Sequence, residues 1–154
     1  MTAIAAIRPD AWNFPLLLHL MGAMVMVGAL VLAASALFLA WRDSDAALVR
    51  LGYRSLLIGA LPAWLVMRAG GEWIASKEGW TAEGVPTPTW LGIGFVLADA
   101  GGLILLISLI AGGVGVRRLR AGQGSALLRS TLVLSVVLLG AYVVAVWAMS
   151  GKPS

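Results

Sequence analysis

The stretch Pro15-LLLHLMGAMVMVGALVLAASALFLA-Trp41 decides the fold of this chain. About 20 apolar residues, each rising 1.5 Å along a helix, cross a hydrocarbon core of roughly 30 Å, and this run exceeds that length. It also exceeds the roughly 7 to 15 apolar residues of a secretory signal. The stretch therefore predicts a retained membrane helix, which carries the only histidine of the chain, His19.

The composition indicates the same class of protein. Of the 154 residues, 60% are hydrophobic and 12% are charged, and a water-soluble domain of this size exposes too much surface to accommodate that balance. The net charge is +4, but the basic residues stand at the ends of apolar runs, which is typical of membrane topology. We therefore expect the lipid bilayer, and not nucleic acid, as a partner. The absence of cysteine excludes disulfides, thiolate metal sites and thiol nucleophiles.

Four apolar segments predict an all-α protein, a four-helix transmembrane bundle that forms a single integral membrane domain over residues 1–154. The helices are expected at about 15–41, 47–69, 90–116 and 126–149, with a surface loop at 70–89. Asp43 to Asp45 supplies helix-capping residues for the second helix, and Pro62 predicts a bend within it. Gly70-Gly71 predicts the end of that helix, followed by a short surface helix from Glu72 to Trp80. A weak internal repeat suggests two tandem helical hairpins.

The distribution of basic residues predicts the orientation of the bundle. The second loop contains Arg68 and Lys77, and three glutamates offset their positive charge. The other two loops contain seven arginines: Arg42, Arg50, Arg54, Arg117, Arg118, Arg120 and Arg129. By the positive-inside rule, we expect a multi-pass protein of the cell (plasma) membrane with both termini outside.

Polar side chains at membrane depth predict a site in the outer half of the bundle. At 1.5 Å per residue, His19, Asp99 and Tyr142 lie about 10 to 13 Å from the outer ends of their helices. Arg68 reaches the same depth from the second helix. Such groups are costly in lipid and usually serve a function. The candidates for a ligand or proton site are His19, Trp64, Arg68, Glu72, Asp99 and Tyr142.

Structural explanations for the same residues remain open. Asp99 and Arg68 could form an ion pair that only compensates two buried charges. His19 could be a neutral imidazole that bonds to Tyr142 or to a backbone carbonyl. Trp64, one turn before Arg68, could line a site or stack on the guanidinium.

The sequence predicts no cofactor and no metal site. Haem would need His19 together with a methionine or a second protomer, because the chain has a single histidine. Copper(I) could use His19 with Met21, Met24 and Met26, but at 100° per residue these side chains spread around the helix. No catalytic residues are assigned, since paired carboxylates, a serine at helical spacing from His19 and a phosphate-binding glycine loop are all missing. These absences favour a protein that is not an enzyme.

Small residues on the third predicted helix indicate helix packing. Gly94, Ala98 and Gly102 stand four residues apart and so line one face of the helix. This face could pack inside the bundle, against a second copy of the chain in a homo-oligomer, or against a membrane partner subunit.

Two motifs carry a resemblance to a known group of proteins. They are His19-Leu-Met-Gly22-Ala, followed by Gly28, and Arg68-Ala-Gly-Gly-Glu-Trp73. With the four-helix layout, they resemble uncharacterised small predicted integral membrane proteins of bacteria, which are loosely similar to the copper-resistance protein D-like membrane domain. The resemblance implies a bacterial four-helix membrane protein. The additional histidines of that group have no counterpart in this chain.

Two functions follow from these observations. In the first, the protein handles a small molecule, ion or proton through the outer polar residues. In the second, it is a non-catalytic structural or accessory subunit that self-associates or binds a partner through its small-residue helix faces.

Overall fold

The computed structural model describes residues 10–119, 121–123 and 125–151, and this part of the chain is entirely helical or irregular, without strands. A 3₁₀ turn at Asp10–Trp12 precedes the first long helix. The helices are α1 (Asn13–Asp43), α2 (Ala46–Arg54), α3 (Leu61–Lys77), α4 (Thr89–Leu119) and α5 (Ser125–Gly151), with a π-helical segment at Ser55–Ala60 between α2 and α3. The predicted all-α class is confirmed.

Three helices within the described ranges have the length and composition of a membrane span. These are α1 with its preceding turn, α4 and α5. The helices α1, α4 and α5 themselves begin and end within about three residues of the predicted limits. Their long apolar surfaces indicate a membrane protein. Both chain ends and Arg120, which contributed to the predicted orientation, lie outside the described residues.

The turn between α1 and α2 uses the capping chemistry predicted for it. The Asp45 carboxylate accepts a hydrogen bond of 2.6 Å from the backbone N–H of Ala47, which is otherwise unpaired at a helix start. Ser44 precedes it with a left-handed backbone, φ 55°. Arg42 and Asp43 pair with each other at 2.9 Å on the exposed side of this turn.

The prediction that Gly70-Gly71 ends the second helix is wrong, and the loop predicted at 70–89 begins only after Lys77. The helix continues through both glycines to Lys77, so the predicted surface helix from Glu72 is the last part of α3. The actual end is at Gly79, which has φ 81° and donates its N–H to the Ser76 carbonyl at 3.1 Å. Trp80 donates to the Ala75 carbonyl at 3.0 Å, which completes a Schellman cap. Packing against α1 offsets the cost of about 1 kcal/mol per helical glycine.

The helix is irregular next to Pro62, where a π-helical segment lies just before the proline. In that segment the N–H of Leu61 donates to the carbonyl of Leu56, five residues back. The Ser55 hydroxyl donates to the Ala29 carbonyl of α1 at 2.7 Å. The helical run from Ala46 to Lys77 is therefore continuous, and the widened turn is fixed to α1.

Helix α1 lies at the centre of the arrangement. It packs along α2, the π segment and α3 on one side and against α5 on another, whereas α4 packs mainly against α5. The core contains five fully buried large apolar side chains: Met26, Leu30, Leu56, Leu105 and Leu138. We call the end with the start of α1 and the α3–α4 connection the His19 end. The opposite end, with the α1–α2 and α4–α5 connections, is the Arg129 end.

Candidate functional site

The neighbouring helix holds the His19 ring in one orientation. Its Nδ1 lies 2.9 Å from the carbonyl oxygen of Met67 on α3. Because a carbonyl oxygen only accepts hydrogen bonds, Nδ1 carries the proton and donates it. In the neutral ring Nε2 is then an acceptor, and it has no partner among the residues that the structure describes. Of the two predicted partners, the backbone carbonyl is the one observed.

Glycines bring α1 and α3 into backbone contact around this histidine. A Cβ atom added to Gly22 would lie 2.8 Å from the Met67 Cα, and one added to Gly70 would lie 2.7 Å from the backbone nitrogen of His19. A Cβ on Gly71 would lie 2.8 Å from His19 Nδ1 itself. Real Cβ atoms do not approach so closely, so only glycine fits at the three positions without a shift. The motif that begins at His19 on α1 and the motif that begins at Arg68 on α3 thus contact each other.

Arg68 links α3 to α4 through the predicted ion pair with Asp99. Its Nε donates to Asp99 at 2.8 Å, and its NH1 donates to Glu72, one turn further along α3, at 2.7 Å. The Arg68 side chain is 25% exposed, whereas those of Asp99 and Glu72 are 61% and 63% exposed. The guanidinium is therefore the inner member of the network and lies between two outward carboxylates.

Trp64 does not stack on the guanidinium. Its Nε1 donates to the Ala98 carbonyl of α4 at 2.9 Å, and its ring lies against Gly102. The ring beside Arg68 is Phe95, whose centroid lies 5.4 Å from the guanidinium carbon. Trp64 is a second bridge between α3 and α4, and Phe95 provides the cation–π contact.

A cavity of about 270 Å³ opens between α1, α3 and α4 at the His19 end. We call it the His19 cavity. Its polar wall is formed by His19, Arg68 and Glu78, and the rest is apolar or aromatic. The main apolar lining residues are Leu16, Leu20, Met67, Ile74, Trp80, Trp90, Leu91, Phe95 and Met149.

Two tryptophans on either side of the connection after α3 line this cavity. Trp80 and Trp90 meet edge to face with centroids 6.3 Å apart, and both line the cavity. The Trp80 Nε1 donates to the Glu78 carboxylate at 3.0 Å, which fixes the indole relative to the end of α3. Two aromatic rings from either side of the connection therefore form one wall.

Tyr142 does not join the polar layer predicted for it. It is 4% exposed, packs against Gly101 and belongs to the apolar core. It is absent from the lining of the His19 cavity, and its hydroxyl has no partner within residues 10–119, 121–123 and 125–151. The structure places His19 and Arg68 on the wall of one cavity and pairs Arg68 with Asp99 and Glu72, neither of which lines the cavity. It leaves Tyr142 on the α4–α5 contact.

The small-residue face of α4 is covered within the chain. Met149 of α5 lies over Gly94, and the Trp64 ring lies over Gly102. The occupants are side chains and not a second backbone. Ala98, between the two glycines, accepts the indole hydrogen bond of Trp64.

In the described part of the chain, no three His, Cys, Asp or Glu side chains come close enough together to hold a metal ion. Two methionines, Met67 and Met149, line the same cavity as His19. Met26 is instead buried in the core, whereas Met21 and Met24 are exposed on the surface of α1. The three methionines considered from sequence thus lie outside the cavity.

No protein-family model matches this chain, and no curated protein or solved structure is similar to it. The resemblance to the copper-resistance protein D-like domain and the bacterial origin stay predictions. A function is therefore inferred from the geometry of the His19 cavity.

Several residues of this region were not among the predicted site residues. Met67 contributes a backbone carbonyl, which side-chain patterns cannot show, and Gly71 contributes space for the ring of His19. A usable signal did exist for Phe95. It stands four residues before Asp99, as Arg68 stands four before Glu72, and residues at that spacing share a helix face.

Proposed function

We propose that this protein binds a small amphiphilic molecule in the His19 cavity and exchanges a hydrogen bond or a proton with it through Nε2 of His19. The observation that carries this proposal is the fixed imidazole. Its Nδ1 donates a hydrogen bond to the Met67 carbonyl, so Nε2 is the ring nitrogen that a ligand can contact. A pre-oriented polar group in an apolar cavity is the usual composition of a small-molecule site.

The lining favours a molecule over a bare ion. A desolvated ion needs several charged or polar ligands, whereas most of this wall is aliphatic or aromatic. The volume of about 270 Å³ is slightly below the range of roughly 300 to 1,000 Å³ for drug-sized ligands. A ligand about the size of one substituted ring matches this space.

Two of the three polar side chains of the cavity, His19 and Arg68, define the chemistry of the ligand, since the Glu78 carboxylate accepts the hydrogen bond of Trp80. Neutral Nε2 accepts a hydrogen bond, so it matches a hydroxyl or N–H group. Arg68 has five N–H donors and uses two of them for Asp99 and Glu72, which leaves donors for a ligand oxygen. A hydroxylated ring compound satisfies both.

We further propose that the chain crosses the plasma membrane four times with both termini outside. The unbroken helical run from Ala46 to Lys77 supports a fourth crossing beside the three long apolar helices. Arginines concentrate at the Arg129 end, which supports a cytoplasmic location for that end. The His19 cavity would then open toward the outer leaflet. The accessory-subunit alternative would use the α4 face of Gly94 and Gly102, which Met149 and Trp64 cover.

Binding of 4-fluorophenol tests the proposed site. The full chain in lipid nanodiscs is titrated with this probe, and the bound fraction is followed by fluorine NMR. We expect a saturable signal for the wild-type protein. His19→Phe should weaken it about fivefold, because one hydrogen bond is lost. Ala75→Leu should abolish it, because Ala75 is buried and lines the cavity.

Met24→Ala is the matched control, since Met24 lies exposed on the same helix away from the cavity. It should leave the probe affinity unchanged. The proposal fails if the wild-type protein shows only non-saturable partitioning into lipid. It also fails if His19→Phe binds the probe as tightly as Met24→Ala does.

A further inference from the structure

A second cavity, of about 250 Å³, lies at the opposite end of the molecule, and we call it the Arg129 cavity. It is bounded by the end of α1, the start of α2, the end of α4 and the start of α5. Its polar residues are Ser44, Asp45, Ser125 and Arg129, and its apolar wall includes Leu37, Trp41, Val49, Leu119, Leu128 and Leu132. None of these residues belongs to the His19 cavity.

Arg129 is a cation without a carboxylate partner in this cavity. Its guanidinium carbon lies 5.7 Å from the centroid of the Trp41 ring, and it forms no ion pair or hydrogen bond with a described residue. Arg42 and Arg68 differ, since both are paired with carboxylates at less than 3 Å. A guanidinium that stacks on an indole keeps its in-plane N–H groups, which match phosphate oxygens.

The charges around the cavity favour an anion. Asp45 also lines it, but its carboxylate is already the hydrogen-bond acceptor that caps α2. At the Arg129 end, five described arginines stand with two aspartates, Asp43 and Asp45. The arginines are Arg42, Arg50, Arg117, Arg118 and Arg129.

An apolar groove between α1 and α5 adjoins the Arg129 cavity. This groove has a volume of about 490 Å³ and shares Leu132 with the cavity. Phe38 in the groove and Trp41 in the cavity are in edge contact, with centroids 6.0 Å apart. The other groove residues are Ala34, Ser35, Val133, Val136 and Val137. A cationic pocket therefore lies beside an apolar groove, which runs along α1 and α5 toward their middle.

We propose that the Arg129 cavity and its groove bind one anionic phospholipid. The phosphate of the headgroup contacts Arg129, the glycerol backbone lies beside Trp41, and one acyl chain lies in the groove past Phe38. The groove favours a lipid over free phosphate, because a free phosphate has no apolar part to occupy it. Basic pockets between membrane helices are known to hold such headgroups. This inference does not depend on a ligand for His19.

Lipid retention by the intact purified protein tests the inference. Native mass spectrometry is recorded after the full chain is titrated with phosphatidylglycerol or with phosphatidylcholine. We expect preferential retention of one phosphatidylglycerol, and about tenfold weaker retention by Arg129→Gln. The control is Arg118→Gln, which removes the same charge at the same end but lies outside the cavity. Equal losses in both variants, or equal retention of phosphatidylcholine, would overturn the assignment.

Two further measurements distinguish the lipid from its headgroup. Ala34→Phe fills the groove without a change of charge, and we expect it to weaken phosphatidylglycerol retention severalfold while Arg129 is intact. Glycerol 3-phosphate should not displace the lipid at comparable concentration. If Ala34→Phe has no effect, or if glycerol 3-phosphate competes as well as the lipid, the site binds a phosphate group only and the proposal is wrong. Far-ultraviolet circular dichroism verifies that each variant keeps its helices.

Discussion

The two contacts that α3 makes on either side of the His19 cavity are built differently. Toward α1, glycines such as Gly22 and Gly70 bring the backbones together. Toward α4, two long side chains span a gap, with Arg68 reaching Asp99 and Trp64 reaching the Ala98 carbonyl. The cavity lies where the bridged contact leaves space.

This difference shows how two kinds of helix contact can share one site. His19 belongs to the close contact, where backbone atoms on both helices limit its movement. Arg68 belongs to the bridged contact, where paired side chains and not backbone atoms connect the helices. A ligand would therefore meet an acceptor held by a close backbone contact on α1 and a wall of side chains on α3 and α4.

The largest effect is expected from a single methyl group in the close contact. Gly22→Ala places a Cβ 2.5 Å from the Met67 backbone nitrogen, so the helices must separate. We expect a loss of about 3 kcal/mol in the free energy of unfolding in detergent. Gly28→Ala is the control on the same helix, because a Cβ there meets nothing within 4 Å. It should be neutral or slightly stabilising. Similar losses in both variants would disprove the close contact.

A smaller effect is expected from the indole bridge to α4. Trp64→Phe removes the hydrogen bond to Ala98 and part of the ring that covers Gly102. We expect a loss of about 2 kcal/mol in the same unfolding measurement. Trp147→Phe makes the same replacement at an exposed position of α5 and should change stability little. If the two variants unfold alike, Trp64 does not bridge the helices.

The smallest effect is expected from the ion pair. In a double-mutant cycle with Arg68→Gln and Asp99→Asn, we expect a coupling energy of about 1 kcal/mol or less, because polar groups of membrane helices also find partners in the unfolded state. The corresponding cycle with Glu72→Gln should give about 0.3 to 0.5 kcal/mol, as for other exposed pairs one helical turn apart. A coupling of several kcal/mol would mean that the carboxylates are desolvated, and no coupling would remove this bridge.

Helix positions and one charge pair could be predicted from the sequence. The apolar runs set the long helices and Asp45 caps α2, because length and capping act over a few residues. Arg68 and Asp99 are distant in sequence, but a charge in a membrane helix requires a partner at its own depth. The internal repeat and the orientation stay predictions.

The errors arise where the effect of a residue depends on its neighbour in space. Gly70-Gly71 breaks an isolated helix, but here α1 packs on it and the helix continues to Gly79. Equal depth did not bring Tyr142 to the site, since depth does not fix the direction of a side chain around its helix. The contact with Met67 could not be predicted, because the acceptor is a backbone carbonyl, which every residue has.

The tautomer of His19 tests the proposed site most directly. The chain contains one histidine, so nitrogen-15 NMR of histidine-labelled protein reports on this ring alone. We predict a neutral ring that is protonated at Nδ1, with only the Nε2 resonance shifting when 4-fluorophenol is added. A ring protonated at Nε2, or one that exchanges between both tautomers, would contradict the hydrogen bond to Met67 and with it the proposed site.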